Sequence, residues 1–218
     1  MNIGLRGAYN LGWKLAAVHR SETKPHLLDT YSDEQKATAQ TVINAMRYDF
    51  LKRPISRTGM RVFETLMPLG LSLGAVQRWI EFTLSDLGMG YRESPLSWHS
   101  AGTRYLRAGD RVPNIPVVSD DGQWADLHHL LSLQYWMLLL RTADAGDEGV
   151  QRAREVVAKF RTQIRVALIK PTDTATDREL GRDRLLMLVR PDGHIGLMAR
   201  LDNTNALNKY LDTFLVQA

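Results

Sequence analysis

Leu185-Leu186-Met187-Leu188-Val189-Arg190-Pro191-Asp192-Gly193-His194-Ile195-Gly196-Leu197-Met198-Ala199 holds two short apolar runs around a Pro-Asp-Gly turn, which predicts a β-hairpin. Working outward, residues 135–140 form a near-continuous apolar run and residues 164–169 another. Such runs suit central strands buried on both faces. Residues 147–160 carry apolar side chains at helical spacing, and residues 203–215 predict a closing helix. Upstream, residues 115–118 are a short apolar run, Asp120-Asp121-Gly122 is a turn, and residues 124–133 read as a helix. Strand, helix, strand, hairpin, helix is the thioredoxin-like order, so residues 108–218 are expected to form an α/β domain of that type.

That domain carries no thiol. The chain contains no cysteine, and the position after the first central strand holds Thr142-Ala143-Asp144-Ala145. Disulfides, thiolate nucleophiles, dithiol exchange and Cys-ligated zinc are excluded together. The domain's role is therefore structural or associative, and any redox chemistry needs a bound cofactor. Twenty-eight basic and 24 acidic residues are interleaved along the chain, which argues against nucleic acid as a partner. No apolar stretch is long enough to span a bilayer. Arg6, Asn10 and Lys14 interrupt the apolar positions of the first 20 residues, so no targeting signal is read there and a cytoplasmic location is expected.

Ahead of the hairpin domain the periodicity is helical. Leu5, Ala8, Leu11, Leu15 and Val18 recur at helical spacing, while Gly4 and Gly7 sit near the helix start. Two glycines there disfavour a free-standing helix and point to a backbone that something else approaches closely. Residues 32–88 continue in helical register, with Val42, Ile43, Met46 and Phe50 on one face and Val62, Phe63, Leu66 and Met67 on another; residues 71–87 add a further amphipathic helix. Ser32 or Asp33 is the expected N-cap of the second helix. The polar stretch 97–107 is the expected boundary, separating a helical unit at 1–100 from the domain at 108–218.

The N-terminal residues carry a resemblance. Met1-Asn2-Ile3-Gly4-Leu5-Arg6-Gly7-Ala8-Tyr9-Asn10-Leu11-Gly12-Trp13-Lys14-Leu15-Ala16 resembles the last flavin-contacting motif of FAD-dependent aromatic hydroxylases of the phenol hydroxylase and polyketide hydroxylase type. In that family the motif opens a long helix whose N-terminus faces the isoalloxazine ring, and an Asp usually stands where this chain has Gly7. Leu27-Leu28-Asp29-Thr30-Tyr31-Ser32-Asp33-Glu34, Gly90-Tyr91-Arg92-Glu93-Ser94-Pro95-Leu96, Gly109-Asp110-Arg111-Val112-Pro113 and Leu188-Val189-Arg190-Pro191-Asp192-Gly193-His194 resemble, in the same order, later segments of the family. The likeness covers nearly the whole chain and maps onto the family's C-terminal portion. It implies FAD as cofactor, NAD(P)H as reductant and a phenolic or polyketide ring as substrate. It further implies that Met1, Asn2, Gly4 and Leu5 line the isoalloxazine, chiefly through backbone groups, and it assigns no catalytic side chain and no metal.

Other constellations are weaker. No G-x-G-x-x-G follows a strand, so a turn to seat the FAD pyrophosphate is not read in this chain. The chain is accordingly expected to be truncated relative to the family, inactive alone and unable to hold FAD tightly. A homo-oligomer, or a partner chain supplying the flavin domain, is the expected assembly. The second reading is a non-catalytic dimerisation or docking module. His128-His129 is a poor metal signal, because adjacent helical residues point about 100° apart. Tyr9, Trp13, Tyr48 and Trp79 read as core aromatics, His194 as a hairpin residue, and Lys52, Arg53, Arg57 and Arg61 as a solvated basic face.

Overall fold

The computed structural model describes residues 2–47, 90–101, 106–119, 122–144, 146–170, 180 and 184–218. Expectations that fall on residues 48–89 lie outside these. Two helices open the chain, α1 (Asn2–His19) and α2 (Asp29–Arg47), joined through a 3-10 turn at Pro25–Leu28. Seven strands follow: β1 (Trp98–His99), β2 (Pro116–Ser119), β3 (Trp124–Asp126), β4 (Trp136–Arg141), β5 (Ile164–Ile169), β6 (Leu185–Val189) and β7 (Ile195–Arg200). Helices α3 (Leu127–Leu130), α4 (Glu148–Val157) and α5 (Thr204–Phe214) complete the described elements.

The strands form one mixed sheet in the order β1-β7-β6-β4-β5-β2-β3. Central β4 pairs parallel with β5 and antiparallel with β6, and the predicted hairpin β6-β7 is present with an irregularity at Leu188/Val189. Side chains alternate across the sheet, and each face has its own cover. Trp136, Leu138 and Leu140 of β4 pack with Trp13 and Ala17 of α1, Val150 and Ala153 of α4, and Leu207, Tyr210 and Phe214 of α5. Met137 and Leu139 face the other way, against Val112, Ile115, Val117 and Leu127. Burial on both faces is why these strands read as continuous apolar runs. Helices α4 and α5 are each capped by a side chain: Asp147 accepts from the Gly149 N–H at 2.8 Å and Asn203 from that of Ala206 at 3.2 Å, each satisfying a donor the helix leaves open.

Three local readings differ from expectation. Residues 124–133 are not one helix: Trp124, Ala125 and Asp126 pair with Val118, Val117 and Pro116 across an antiparallel turn at Gly122, and only Leu127–Leu130 is helical. Leucines at helical spacing suggest a helix locally, but the open edge of β2 offers ladder hydrogen bonds that a three-residue segment satisfies as strand. Helix α2 begins at Asp29, continuous with the 3-10 turn, so Ser32 and Asp33 lie one turn inside it and do not cap it. Within the polar stretch 97–107, Trp98 and His99 pair in parallel with Leu197 and Met198 as the sheet's edge strand.

Gly109 holds the sheet to the segment before β1. Its N–H donates to the Ile195 carbonyl at 2.7 Å while its carbonyl accepts from the Tyr91 N–H at 2.8 Å. Its φ of +92° is one that L side chains rarely adopt, and a Cβ there would lie 2.5 Å from the Arg92 backbone. Gly109→Ala is therefore expected to destabilise the protein by about 1–3 kcal/mol, read as a lower urea midpoint. An unchanged midpoint would show that this junction yields without cost.

Candidate functional site

Four charged side chains from three separate parts of the chain meet beneath α1. Lys14 lies on α1, Glu34 on α2, and Arg190 and Asp192 on the β6-β7 hairpin; the side chains of Lys14, Glu34 and Arg190 are fully buried. Arg190 Nη1 donates to Glu34 Oε1 at 2.6 Å and Nη2 to Oε2 at 3.2 Å, the bidentate geometry natural to a guanidinium. Glu34 also accepts from Lys14 Nζ at 2.8 Å, Asn10 Nδ2 at 2.6 Å and Ser94 Oγ at 2.6 Å. Lys14 Nζ donates further to Thr30 Oγ1 at 2.9 Å. Asp192 pairs with Arg190 and accepts from Trp13 Nε1 at 3.1 Å. The guanidinium carbon lies 5.5 Å from the Trp13 ring centroid and 5.3 Å from that of Tyr91, within cation–π range of both.

Two cations and two carboxylates balance, which is how buried charge is tolerated. Burial alone would raise the pKa of Glu34, but Arg190 and Lys14 outweigh it and hold the carboxyl at about 2. Asp192 is likewise held well below its ordinary value, against burial, by Arg190 and then His194. Arg190 is held above its usual value by the two carboxylates despite its burial. Burial, then the Arg190 charge, lowers Lys14 to about 8, with Glu34 opposing.

The network fixes α1, and the residues expected to meet a flavin lie at that helix's start. Met1 lies outside the described residues, and Asn2 opens the helix. Gly4 and Leu5 follow in the first turns, exposed. A Cβ placed on Gly4 would find no atom within 4 Å, whereas one on Gly7 would lie 3.1 Å from the Gln35 side chain. The paired glycines thus serve different ends: Gly7 admits α2, and Gly4 leaves an open face. No acidic residue occupies the first turn, so the unpaired N–H groups and positive end of α1 remain available to an electron-rich group.

Sequence reasoning does not single out the central residues: it reads Lys14 as an interruption of the first helix's apolar positions, Glu34 as the last residue of a quoted segment and His194 as a hairpin residue. The signal was there, since Lys14, Glu34, Arg190 and Asp192 each fall inside a quoted motif, but no sequence rule pairs charges 156 residues apart. Among the described residues no group of His, Asp and Glu is placed to hold a metal; His128 Nε2 instead lies 3.0 Å from the Val112 carbonyl. Lys52, Arg53, Arg57, Arg61, Tyr48 and Trp79 lie outside the described residues. No described helix is long and apolar enough to cross a membrane.

Comparison with known proteins gives the context. Residues 106–218 match the family model for the C-terminal part of aromatic-ring hydroxylases, and residues 1–46 match that of an FAD binding domain. Pentachlorophenol 4-monooxygenase of Sphingobium chlorophenolicum is 26% identical over 246 residues, which cover 100% of this chain and 42% of that protein. The 6-methylpretetramide 4-monooxygenase of Streptomyces rimosus is 27% identical, over 97% of this chain and 40% of its own. Among solved structures, CabE, an aromatic hydroxylase from angucycline biosynthesis, superposes with a TM-score of 0.64 at 27% identity, covering 96% of this chain and 40% of that one. The chain spans about two fifths of the length of these curated relatives.

Two outcomes follow from the charge network. Arg190→Met leaves two buried carboxylates without their shared cation and is expected to cost about 3–5 kcal/mol in chemical denaturation. Because the Glu34 carboxyl titrates lower in the folded chain than its ordinary 4.5, its contribution is complete above that pH and is lost as pH falls toward 2. Glu34→Gln should therefore flatten the decline of melting temperature between pH 4.5 and 2; an equally steep decline in the variant would remove Glu34 from the account.

Proposed function

Because this chain belongs to the aromatic-ring hydroxylase family, we propose that it is the C-terminal part of a flavin-dependent aromatic monooxygenase acting on a phenolic or polyketide ring, and that α1 presents its N-terminus to the isoalloxazine. FAD is the family's cofactor, and when bound it supplies reduction by NAD(P)H and oxygen transfer to the ring. The observation that carries the reading is the open, acid-free start of a helix whose next turns are locked in place by buried ion pairs. The residues fit that cofactor's ring edge. The backbone N–H groups of Asn2 and Gly4 would stabilise negative charge on it, Gly4 would admit its plane without a Cβ in the way, and Met1 and Leu5 would flank it. The chain's part is to position and polarise.

We further read residues 108–218 as a Cys-free thioredoxin-like domain and residues 1–100 as the closing part of a FAD and substrate domain. The β4-β5 parallel pair, the β6-β7 hairpin and helices α4 and α5 on one face support the first assignment. With no G-x-G-x-x-G among its 218 residues, the chain alone has no turn for the dinucleotide's pyrophosphate and is inactive by itself. Leu5, 63% exposed, and Tyr9, 57% exposed, lie with Leu15 along one side of α1. That apolar stripe supports association, through a homo-oligomer or a partner chain that supplies the flavin domain. It also keeps open the reading of a non-catalytic docking module.

The purified chain is expected to be colourless and to show no FAD-dependent NAD(P)H oxidation with phenols. Adding the N-terminal flavin portion of a relative, as a separate or fused chain, should give a yellow complex in sedimentation. Gly4→Ala should raise the melting temperature of the isolated chain, since Ala favours helix by up to about 1 kcal/mol, and yet weaken FAD retention in the reconstituted complex. Tight stoichiometric FAD binding by the chain alone would overturn the inactive-alone reading. Self-association through α1 with no flavin binding after complementation would favour the docking module.

A further inference from the structure

Lys14 stands apart from its three charged partners in how its hydrogen-bonding capacity is met. Its side chain is fully buried, and a protonated amine carries three N–H donors. Two acceptors bond Nζ, Glu34 Oε2 at 2.8 Å and Thr30 Oγ1 at 2.9 Å. Oε2 is shared, since it also accepts from Asn10 Nδ2 at 2.6 Å and Arg190 Nη2 at 3.2 Å. Thr30 gives its own proton to the Leu27 carbonyl at 2.6 Å, which leaves its oxygen as an acceptor for Lys14. Among the described residues no third acceptor bonds Nζ, and the Trp13 ring centroid, 5.9 Å away, lies at the far limit of cation–π range. A neutral amine has two N–H donors, and two acceptors are what this site supplies.

The charges around Nζ favour the same form. On the hairpin, Arg190 engages Glu34 through both oxygens and Asp192 besides, and its guanidinium stays protonated. Both carboxylates stay ionised, as their neighbours dictate. From the segment before β1, Ser94 bonds Glu34, and burial pushes the Tyr91 hydroxyl above its ordinary value, so it stays neutral. His194 sets Nδ1 3.2 Å from Asp192 Oδ1. Lys14 thus pairs with a carboxylate already held by a second cation, and that cation repels it. Of the four charges in the network, its own is the first to be lost as pH rises.

We infer that Lys14 is a proton switch in the attachment of α1: the buried amine releases its proton while the chain stays folded, and the cluster passes from neutral to one net negative charge. Proton loss gives up attraction to Glu34, but it also removes the repulsion from Arg190 and the cost of a buried ammonium. Two N–H groups remain for two acceptors, so the deprotonated form holds α1 more firmly against α2 and the hairpin. Neither a flavin nor a second chain takes part.

The sign of the pH dependence follows. Burial, then Arg190, brings the amine from its ordinary 10.5 to about 8 in the folded chain. The unfolded chain therefore binds more protons between those values, and stability rises with pH across that window. The test is an NMR titration, from about pH 6 to pH 11, of the 218-residue chain with 13Cε-labelled lysine. The Lys14 signal is the one absent from Lys14→Met or, if that variant does not fold, is assigned through bonds from the backbone. Its midpoint should fall below about 9.5, a full unit under the ordinary value. The folding equilibrium constant from urea unfolding should also rise about tenfold between pH 7 and pH 9 relative to Lys14→Met. A midpoint at or above about 9.5 would overturn the inference, as would unfolding of the chain before the Lys14 signal moves. An equilibrium constant that does not rise relative to the variant would remove the firmer attachment of α1.

Discussion

The buried pairing of Arg190 with Glu34 is the contact on which the rest of this molecule's organisation depends. It joins the hairpin of the sheet to the second helix, and through Lys14 and Asn10 it gathers in the first. Desolvating four charges is expensive, and apolar residues of the same volume would hold two surfaces together at least as well. What the ion pairs add is direction. A guanidinium engaged bidentately by one carboxylate and from the side by another accepts one arrangement of its neighbours, so α1 is set in rotation and height against the sheet. Trp13, edge-on to Trp136 at 5.5 Å and bonded through Nε1 to Asp192, reads the same register from the apolar side.

That constraint explains why the helix start can remain open. A helix whose first turn holds glycine and no acidic residue would fray if it depended on its own propensity. Here Asn10, Trp13 and Lys14 anchor the following turns, so the first residues need not pack against anything. Gly4 faces empty space while Gly7, one turn on, is closed by Gln35. On the reading proposed above, an exposed helix start anchored by the turns behind it suits the positioning of a cofactor's ring.

The same contact crosses the division drawn from composition at residues 97–107. Glu34 and Ser94 lie on one side of that stretch and Arg190 on the other, and β1 joins the sheet from within it. A family portrait made of separate motifs becomes one object here, because the segments around Asn10, Glu34, Tyr91, Gly109 and Arg190 converge on a single buried cluster. Their spacing along the chain reflects connectivity, and their residue types reflect what each contributes to that cluster.

The central strands, the hairpin, helices α4 and α5 and the likeness to aromatic hydroxylases are legible along the chain, because continuous apolar runs, a Pro-Asp-Gly turn and helical spacing act over a few residues. Local reading goes wrong at residues 124–133, where an unpaired strand edge elsewhere in the chain overrode local spacing, and at the start of α2, where a 3-10 turn carried the chain into the helix without a cap. That Lys14, Glu34, Arg190 and Asp192 form one neutral cluster is a property of the tertiary structure alone. Electrostatic pairing depends on distance in space, and periodicity along a chain contains no term for it.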